Sequence, residues 1–209
     1  MYMTRVFLKR LPPPNIIHGI LSAALPGERC NKDNICLWRV DKINDDHALI
    51  IVSSKSPDIE RIVTEIGKKA DSNKLMVHHK DNKTIDYSLF LSKLQNNQVW
   101  KFRLCANPIE NKKQQESDKR GKVYALRTIN EQLKWLAKQG EKNGFKILGS
   151  AISNDSWIIF RDVRIRAITF DGTLSILDAD SLRAALSHGI GRGKAFGCGL
   201  LTIVRAQYA

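Results

Sequence analysis

The order in which two apolar periodicities alternate along the chain constrains its fold more than any other feature. "MTRVFLKR" alternates apolar and charged residues with the period of two that a half-buried strand requires, and Pro12-Pro13-Pro14 ends it. "NIIHGILSAAL" then sets Ile17, Ile20, Leu21 and Ala24 at helical spacing, with Asn15 as the expected N-cap. "ICLWRV" and "HALIIVS", separated by the polar "DKINDD", read as a hairpin. Pro57 opens a second amphipathic helix, "PDIERIVTEIGKK", with Ile59, Ile62, Val63 and Ile66 on one face. A weaker strand around "LMVHH" or "TIDYS" completes β-α-β-β-α-β, the split βαβ order of a ferredoxin-like unit.

The same order then recurs without any sequence repeat. In "VWKFRLCANP", Trp100, Phe102 and Leu104 alternate with Lys101 and Arg103; a basic loop, "IENKKQQESDKRG", leads into the strand "KVYALR". "TINEQLKWLAKQGEKNG" is a helix capped by Thr128, with Gly144 near its end. "FKILGSAIS" and "WIIFRDVRIRAITF" supply strands, Asp171-Gly172 is the expected turn, and "TLSILD" follows. "DADSLRAALSHG" is the last helix and "GLLTIVRA" the last strand. The expected class is α+β, with two tandem ferredoxin-like domains at residues 1–94 and 95–209.

With 209 residues and 43% hydrophobic content, the chain can bury two cores of this size. Its net charge of +13 is unevenly spread: residues 1–97 carry 15 Lys+Arg against 11 Asp+Glu, residues 98–209 carry 19 against 10. A basic second half points to a polyanion, most often nucleic acid, although charge also serves solubility alone. Cys30, Cys36, Cys105 and Cys198 have no zinc-like spacing and read as reduced, interior cysteines of a cytoplasmic protein. The opening "MYMTRVFLKRLPPP" is broken by Arg5 and Lys9, so no secretory signal is expected, and no apolar run is long enough to span a membrane. Paired ferredoxin-like sheets suggest RNA, yet the aromatic RNP1 pattern of an RRM is missing. A charged groove reading backbone and helix shape is therefore expected rather than base stacking on a sheet.

One stretch remains, "HGIGRGKAFGCGL" at 188–200, which holds five of the chain's 13 glycines. It is not a P-loop, because Gly193-Lys194 is followed by Ala195. Nor is it a dinucleotide fingerprint, because the sixth residue from Gly189 or Gly191 is Lys194 or Phe196. Two readings stay open: a packing turn between helix and strand, or a low-bulk loop that lets another backbone approach closely.

The run "GIGRGKAFGCGLL", together with "KFRLCANP", "GKVYAL" and "EQLKWLAKQGEKNGFKIL", resembles the CasE family, the endoribonucleases of type I-E Cascade within the RAMP superfamily. The resemblance extends over nearly the whole chain. It implies cleavage of a CRISPR repeat RNA at the base of its stem-loop, without metal or other cofactor, and retention of the crRNA product. It also implies partnership with other Cascade subunits, including the one that forms the crRNA backbone. The family's histidine in the first helix matches His18, which by itself could equally be a helix-surface or core residue. Several relatives carry a tyrosine three residues earlier and some a basic residue five later; Asn15 and Ala23 stand there instead. A partner for His18 must come from elsewhere, with Lys194, Arg192, His188, Arg29 and Tyr2 as candidates. Catalysis through the substrate's 2′-hydroxyl would leave a 2′,3′-cyclic phosphate. The alternative is a catalytically weak scaffold that binds the same RNA.

The expected RNA contacts are Gly191, Arg192, Gly193 and Lys194 in the glycine run, and Arg161, Arg164 and Arg166 in "FRDVRIRAITF". In a strand, Arg164 and Arg166 share one face and Val163 and Ile165 the other. Lys112, Lys113 and Arg120 of the basic loop complete the set; Lys119 is a further basic residue there. Each of these cations has a bland alternative as a solvated charge.

Overall fold

The computed structural model describes residues 1–25, 35–68, 82–112, 122–160 and 163–205. Its first part contains β1 (Tyr2–Leu8), α1 (Pro14–Ala24), β2 (Cys36–Ile43), β3 (Asp46–Ser53), α2 (Ile59–Glu65) and β4 (Lys83–Asp86). These strands form one antiparallel sheet in the order β2-β3-β1-β4, the ferredoxin-like arrangement. Val6 and Leu8 of β1 face α1 and α2, where they bury with Ile17, Ile20, Leu21, Trp38, Leu49, Ile51 and Ile62. The alternation read in "MTRVFLKR" thus becomes one core face.

Two helix starts differ from expectation. α1 begins at Pro14, so Asn15 lies inside the helix and Pro13 occupies the cap without a side-chain bond. Pro14 suits the first helical position because it has no N–H to leave unsatisfied in the first turn. α2 begins two residues after Pro57, and Asp58 caps it by accepting the Arg61 N–H at 3.0 Å. Of the two candidates for the fourth strand, "TIDYS" supplies β4, while "LMVHH" lies outside the described residues.

A short helix α3 (Ser88–Leu91) leads into β5 (Val99–Ala106), β6 (Ile109–Lys112), β7 (Lys122–Ala125), α4 (Ile129–Lys142), β8 (Phe145–Phe160), β9 (Val163–Ile176), α5 (Ala179–His188) and β10 (Leu201–Arg205). The order β10-β5-β9-β8 repeats the first sheet's topology, all antiparallel. The second unit is therefore ferredoxin-like too, with the β6-β7 ribbon inserted after its first strand. Residues 109–112, expected in a loop, pair with β7 instead. Thr128 caps α4 through a reciprocal capping box with Glu131.

Asp171-Gly172 is not a turn. Both residues lie within β9, opposite Arg103 and Phe102 of β5. Gly172 is required by close approach: a Cβ there would collide with the Gly149 carbonyl oxygen, where β8 carries a register shift. The long β8-β9 pair continues past β5 to Phe160 and Val163 as a projecting two-stranded arm.

The two units share apolar contacts. Leu37 and Val52, on the face of the first sheet away from its helices, bury in one cluster with Leu186, Ile190, Leu200 and Leu201 of the second unit. Arg39, only 4% exposed, reaches across the junction. It donates to the carbonyls of Leu200 (2.9 Å) and Arg103 (3.1 Å), to Thr202 Oγ1 (2.9 Å), and bidentately to Asp41 (2.7 and 2.8 Å). Full satisfaction of its donors is what makes a buried guanidinium tolerable.

Candidate active site and nucleic-acid interface

α1 presents its Ile17, Ile20, Leu21 and Ala24 edge to the core, which leaves His18 at the boundary, half-buried. The helix lies against a 3-10 turn at Lys194–Phe196, in the middle of the glycine-rich run. The segment nominated for phosphate contact and the helix that carries His18 are thus neighbours, although they stand near opposite ends of the sequence. Among the described residues the His18 imidazole has no hydrogen-bond partner; its backbone carbonyl accepts from Ser22 Oγ at 2.8 Å.

The five glycines of the run divide into two groups, and three of them serve packing. Gly189 ends α5 at a φ of +75°, and a Cβ there would lie 2.8 Å from Leu37 Cδ2. At Gly197 a Cβ would lie 2.8 Å from Trp38 Cζ3, and at Gly199 it would lie 3.0 Å from the Ile190 carbonyl oxygen. These three seat the run against β2 of the first sheet and against itself. Gly191 and Gly193 take left-handed φ values of +80° and +82°, yet nothing lies closer than 3.4 Å to their Cβ positions. They shape the backbone, and a Cβ at either would meet its neighbours only at ordinary contact distance.

Around this bend the expected cations are placed differently. Arg192 is exposed, and its backbone bridges to Asn107. Lys194 is exposed and donates from Nζ to the His188 carbonyl at 2.6 Å, where partial desolvation of its ammonium draws its pKa below the usual lysine value. Such a lysine also offsets the unpaired carbonyls at the C-terminus of α5. His188 is exposed at that helix end, with Nδ1 3.0 Å from the Ala184 oxygen. Tyr2 sits on β1 opposite Ser53 and Asp86. Arg29 lies outside the described residues.

On the projecting arm, Ile165 buries with Cys198, Phe196, Cys105 and Ile158. Arg164 and Arg166 point to the opposite face, as alternation requires, together with their cross-strand neighbours Ile159 and Trp157. The two arginines are not equivalent. Arg164 is exposed, whereas Arg166 forms a fork with Asp155 (2.9 and 2.5 Å) and donates to the carbonyls of Leu126 and Arg127, both at 3.1 Å. Asp155 pairs its charge, and the arginine fastens the arm to the residues just before α4. Arg161, Lys113, Lys119 and Arg120 lie outside the described residues, and for Lys112 only the backbone, in β6, is described.

Three features escaped the sequence reading. Arg61 of α2 donates to the Ala23 carbonyl at 3.2 Å, placing a guanidinium at the end of α1 where the chain itself has alanine. Trp157 and Ile159 are 55% and 65% exposed on the arginine face of the arm. A cleft of about 530 Å³, bordered by Arg39, Asp41, Lys101, Arg103, Asp171 and Thr202, opens between β2 and the second sheet, away from His18. Its charges are largely paired: Arg103 bridges Asp171 at 2.6 Å and faces Asp41 at 3.6 Å. The one available signal was an arginine inside the apolar strand "CLWRV". Among the described residues no three His, Cys, Asp or Glu side chains form a metal-holding group, and no helix is long and apolar enough to cross a membrane.

The profile of the family described as CRISPR associated protein matches residues 1–205. Over 126 residues the chain is 31% identical to the CRISPR-associated endoribonuclease Cse3 of Thermus thermophilus; the match covers 53% of this chain and 57% of that protein. It thus spans little more than half of that relative's length. The fold superposes with a TM-score of 0.76 on Thermus thermophilus Cse3 bound to an RNA representing a pre-cleavage complex, at 24% identity over 97% of this chain and 98% of the other. A chain of a CRISPR RNA-guided surveillance complex, in a pre-nicking state, gives 0.61 at 20% identity, over 99% and 100%. At these identities the structural matches speak to the fold.

Proposed function

The chain belongs to the CRISPR-associated protein family, as its resemblance to the CasE proteins implied, and on that premise we propose that it is an endoribonuclease that processes CRISPR precursor RNA. It cuts at the base of the repeat stem-loop, needs no metal, and keeps the crRNA. The observation that carries this reading is the contact between the helix of His18 and the glycine-rich turn of Lys194.

The chemistry follows from those groups. His18 takes the proton from the 2′-hydroxyl of the nucleotide upstream of the cut, and that oxygen attacks the adjacent phosphorus. The P–O5′ bond breaks, the departing 5′ oxygen acquires a proton, and the strand ends in a 2′,3′-cyclic phosphate. Histidine suits the role because its ordinary pKa, roughly 6.5, keeps both forms populated near neutrality. Positive charge from Lys194 and Arg192 stabilises the dianionic phosphorane, while Gly191 and Gly193 let the strand approach the backbone. Arg164, with Arg161 and the basic Lys112, Lys113 and Arg120, holds the stem by phosphate contact.

The protein works in the cytoplasm as a subunit of a Cascade assembly, beside the subunit that forms the crRNA backbone. Support comes from the CasE resemblance and from the shared fold with a chain of the surveillance complex. A second reading, a repeat-RNA-binding scaffold of feeble activity, rests on Asn15 and Ala23 at the positions of the expected helpers.

The test uses repeat stem-loop RNA in EDTA with wild type, His18→Ala, and a substrate carrying one 2′-deoxy nucleotide just upstream of the cut. Cleavage by wild type that both changes abolish, with binding retained, is the expected result. At least a 100-fold loss of rate is expected for His18→Ala, at the low end of what positioned acid–base groups contribute, about 10²- to 10⁴-fold. Tight binding without cleavage by wild type would establish the scaffold instead, and activity only with added metal would overturn metal independence.

A further inference from the structure

We propose that Cys105 and Cys198 form a reversible disulfide on exposure to peroxide, a modification site that ties the glycine-rich run to the second sheet. Cys105 is on β5, half-buried, beside Thr169 of β9. Cys198 is fully buried at the end of the run, and a Cβ on Gly193 would lie 3.6 Å from its Sγ. The two segments run together at this point: Gly199 donates its N–H to the Cys105 carbonyl at 2.6 Å. The two cysteines lie in one small apolar cluster with Ile158, Ile165, Ala167 and Phe196. Both are free in this structure.

The environment separates their roles. The hydrogen bond from Cys198 holds the Cys105 thiol below its ordinary pKa despite burial, with Thr169 and the charge of Arg39 acting in the same direction. The same hydrogen bond and its own burial push Cys198 up. The half-buried Cys105 is the one that peroxide can reach, and the fully buried Cys198 beside it is placed to resolve the product. The Cys105 thiolate attacks one oxygen of hydrogen peroxide. The O–O bond breaks, the sulfur becomes a sulfenic acid, and the departing hydroxide is protonated to water. Cys198 Sγ then attacks the sulfenic sulfur, the S–O bond breaks, and the leaving hydroxide takes the Cys198 proton as a second water. Two thiols and one peroxide thus give one disulfide and two waters.

The bond would restrain the segment that carries Arg192 and Lys194. It would also close a long loop of the unfolded chain, which is how a crosslink raises stability. The experiment treats the full chain with a small excess of hydrogen peroxide, blocks remaining thiols by alkylation, and maps peptides by mass spectrometry without reduction. The expected product has lost two of the four thiols and the mass of two hydrogens, links the Cys105 and Cys198 peptides, reverts with dithiothreitol, and melts several degrees higher. Cys105→Ser and Cys198→Ser should each abolish the link. Should a variant fail to fold, the wild-type peptide map decides. The proposal is overturned if Cys105 pairs with Cys30 or Cys36, advances to the sulfinic acid without linking, or stays reduced where glutathione is fully oxidised. An unchanged melting temperature in the linked protein would overturn the restraint.

Discussion

Gly197 faces Trp38 so closely that a Cβ on the glycine would sit 2.8 Å from Cζ3 of the indole, and this contact joins the glycine-rich run to the first sheet. Trp38 is buried and cannot swing aside without opening the core of Ile17, Leu21 and Ile51. Gly197→Ala therefore combines overpacking, about 1–3 kcal/mol, with left-handed backbone strain of about 1–2 kcal/mol at its φ of +84°. Gly191→Ala meets only the second cost, because its nearest neighbour, Trp135, is 3.4 Å away. Urea unfolding of the two variants should show the larger loss at Gly197; equal losses would contradict the division of the run into tightly packed glycines and glycines that only shape the backbone.

Arg39 is the polar counterpart of that contact. Removing a buried, fully bonded guanidinium leaves Asp41 and the carbonyls of Arg103 and Leu200 short of partners. Breaking a buried ion pair by truncation costs roughly 3–5 kcal/mol. Arg39→Ala is expected to lower stability by that order in chemical denaturation, whereas Lys101→Ala on the exposed rim of the same cleft stays within about 0.5 kcal/mol.

Arg164 and Arg166 should separate in an RNA titration. Binding of a repeat stem-loop should weaken steeply with salt, since each neutralised phosphate releases counterions. Arg164→Ala should lower affinity and reduce the salt slope by about one, with stability unchanged. Arg166→Ala should instead loosen the arm from residues 126 and 127, visible as faster amide exchange there. Identical salt slopes for wild type and Arg164→Ala would remove Arg164 from the interface.

The Arg166–Asp155 fork predicts a weak acid dependence. The hydrogen bonds from Arg166, helped by its charge, hold the Asp155 carboxyl below its ordinary range. A depressed carboxylate adds stability that is complete above its unfolded pKa and disappears as the pH falls through the lower folded value. The Asp155 side chain is exposed, so solvent screens the pair and the effect is small. Wild type should exceed Asp155→Asn in thermal stability at neutral pH and converge with it in strong acid. A gap that stays constant down to the lowest pH would assign the difference to packing.

Both ferredoxin-like units were legible in the sequence, because strand and helix periodicities and a cap such as Thr128 are local signals. "VWKFRLC" declares its buried face within a few residues, whatever the rest of the chain does, whereas "TIDYS" was only one of two weak candidates and its Ile85 is exposed. The resemblance carried by Gly189 to Leu201 pointed to the family and singled out His18. Other features had no local signature. Asp171-Gly172 has the composition of a turn, yet the approach of Gly149 from β8 turned it into mid-strand. Which glycines are tightly packed, why Arg39 is buried, and why Arg166 is bound while Arg164 is exposed all depend on contacts between distant residues. Leu37 meets Gly189, Arg39 meets Leu200, and α1 meets the turn at Lys194. Periodicity reports only which face of an element is apolar. What that face meets is decided when the two units close on each other, and that closure places the helix of His18 beside the glycine-rich run.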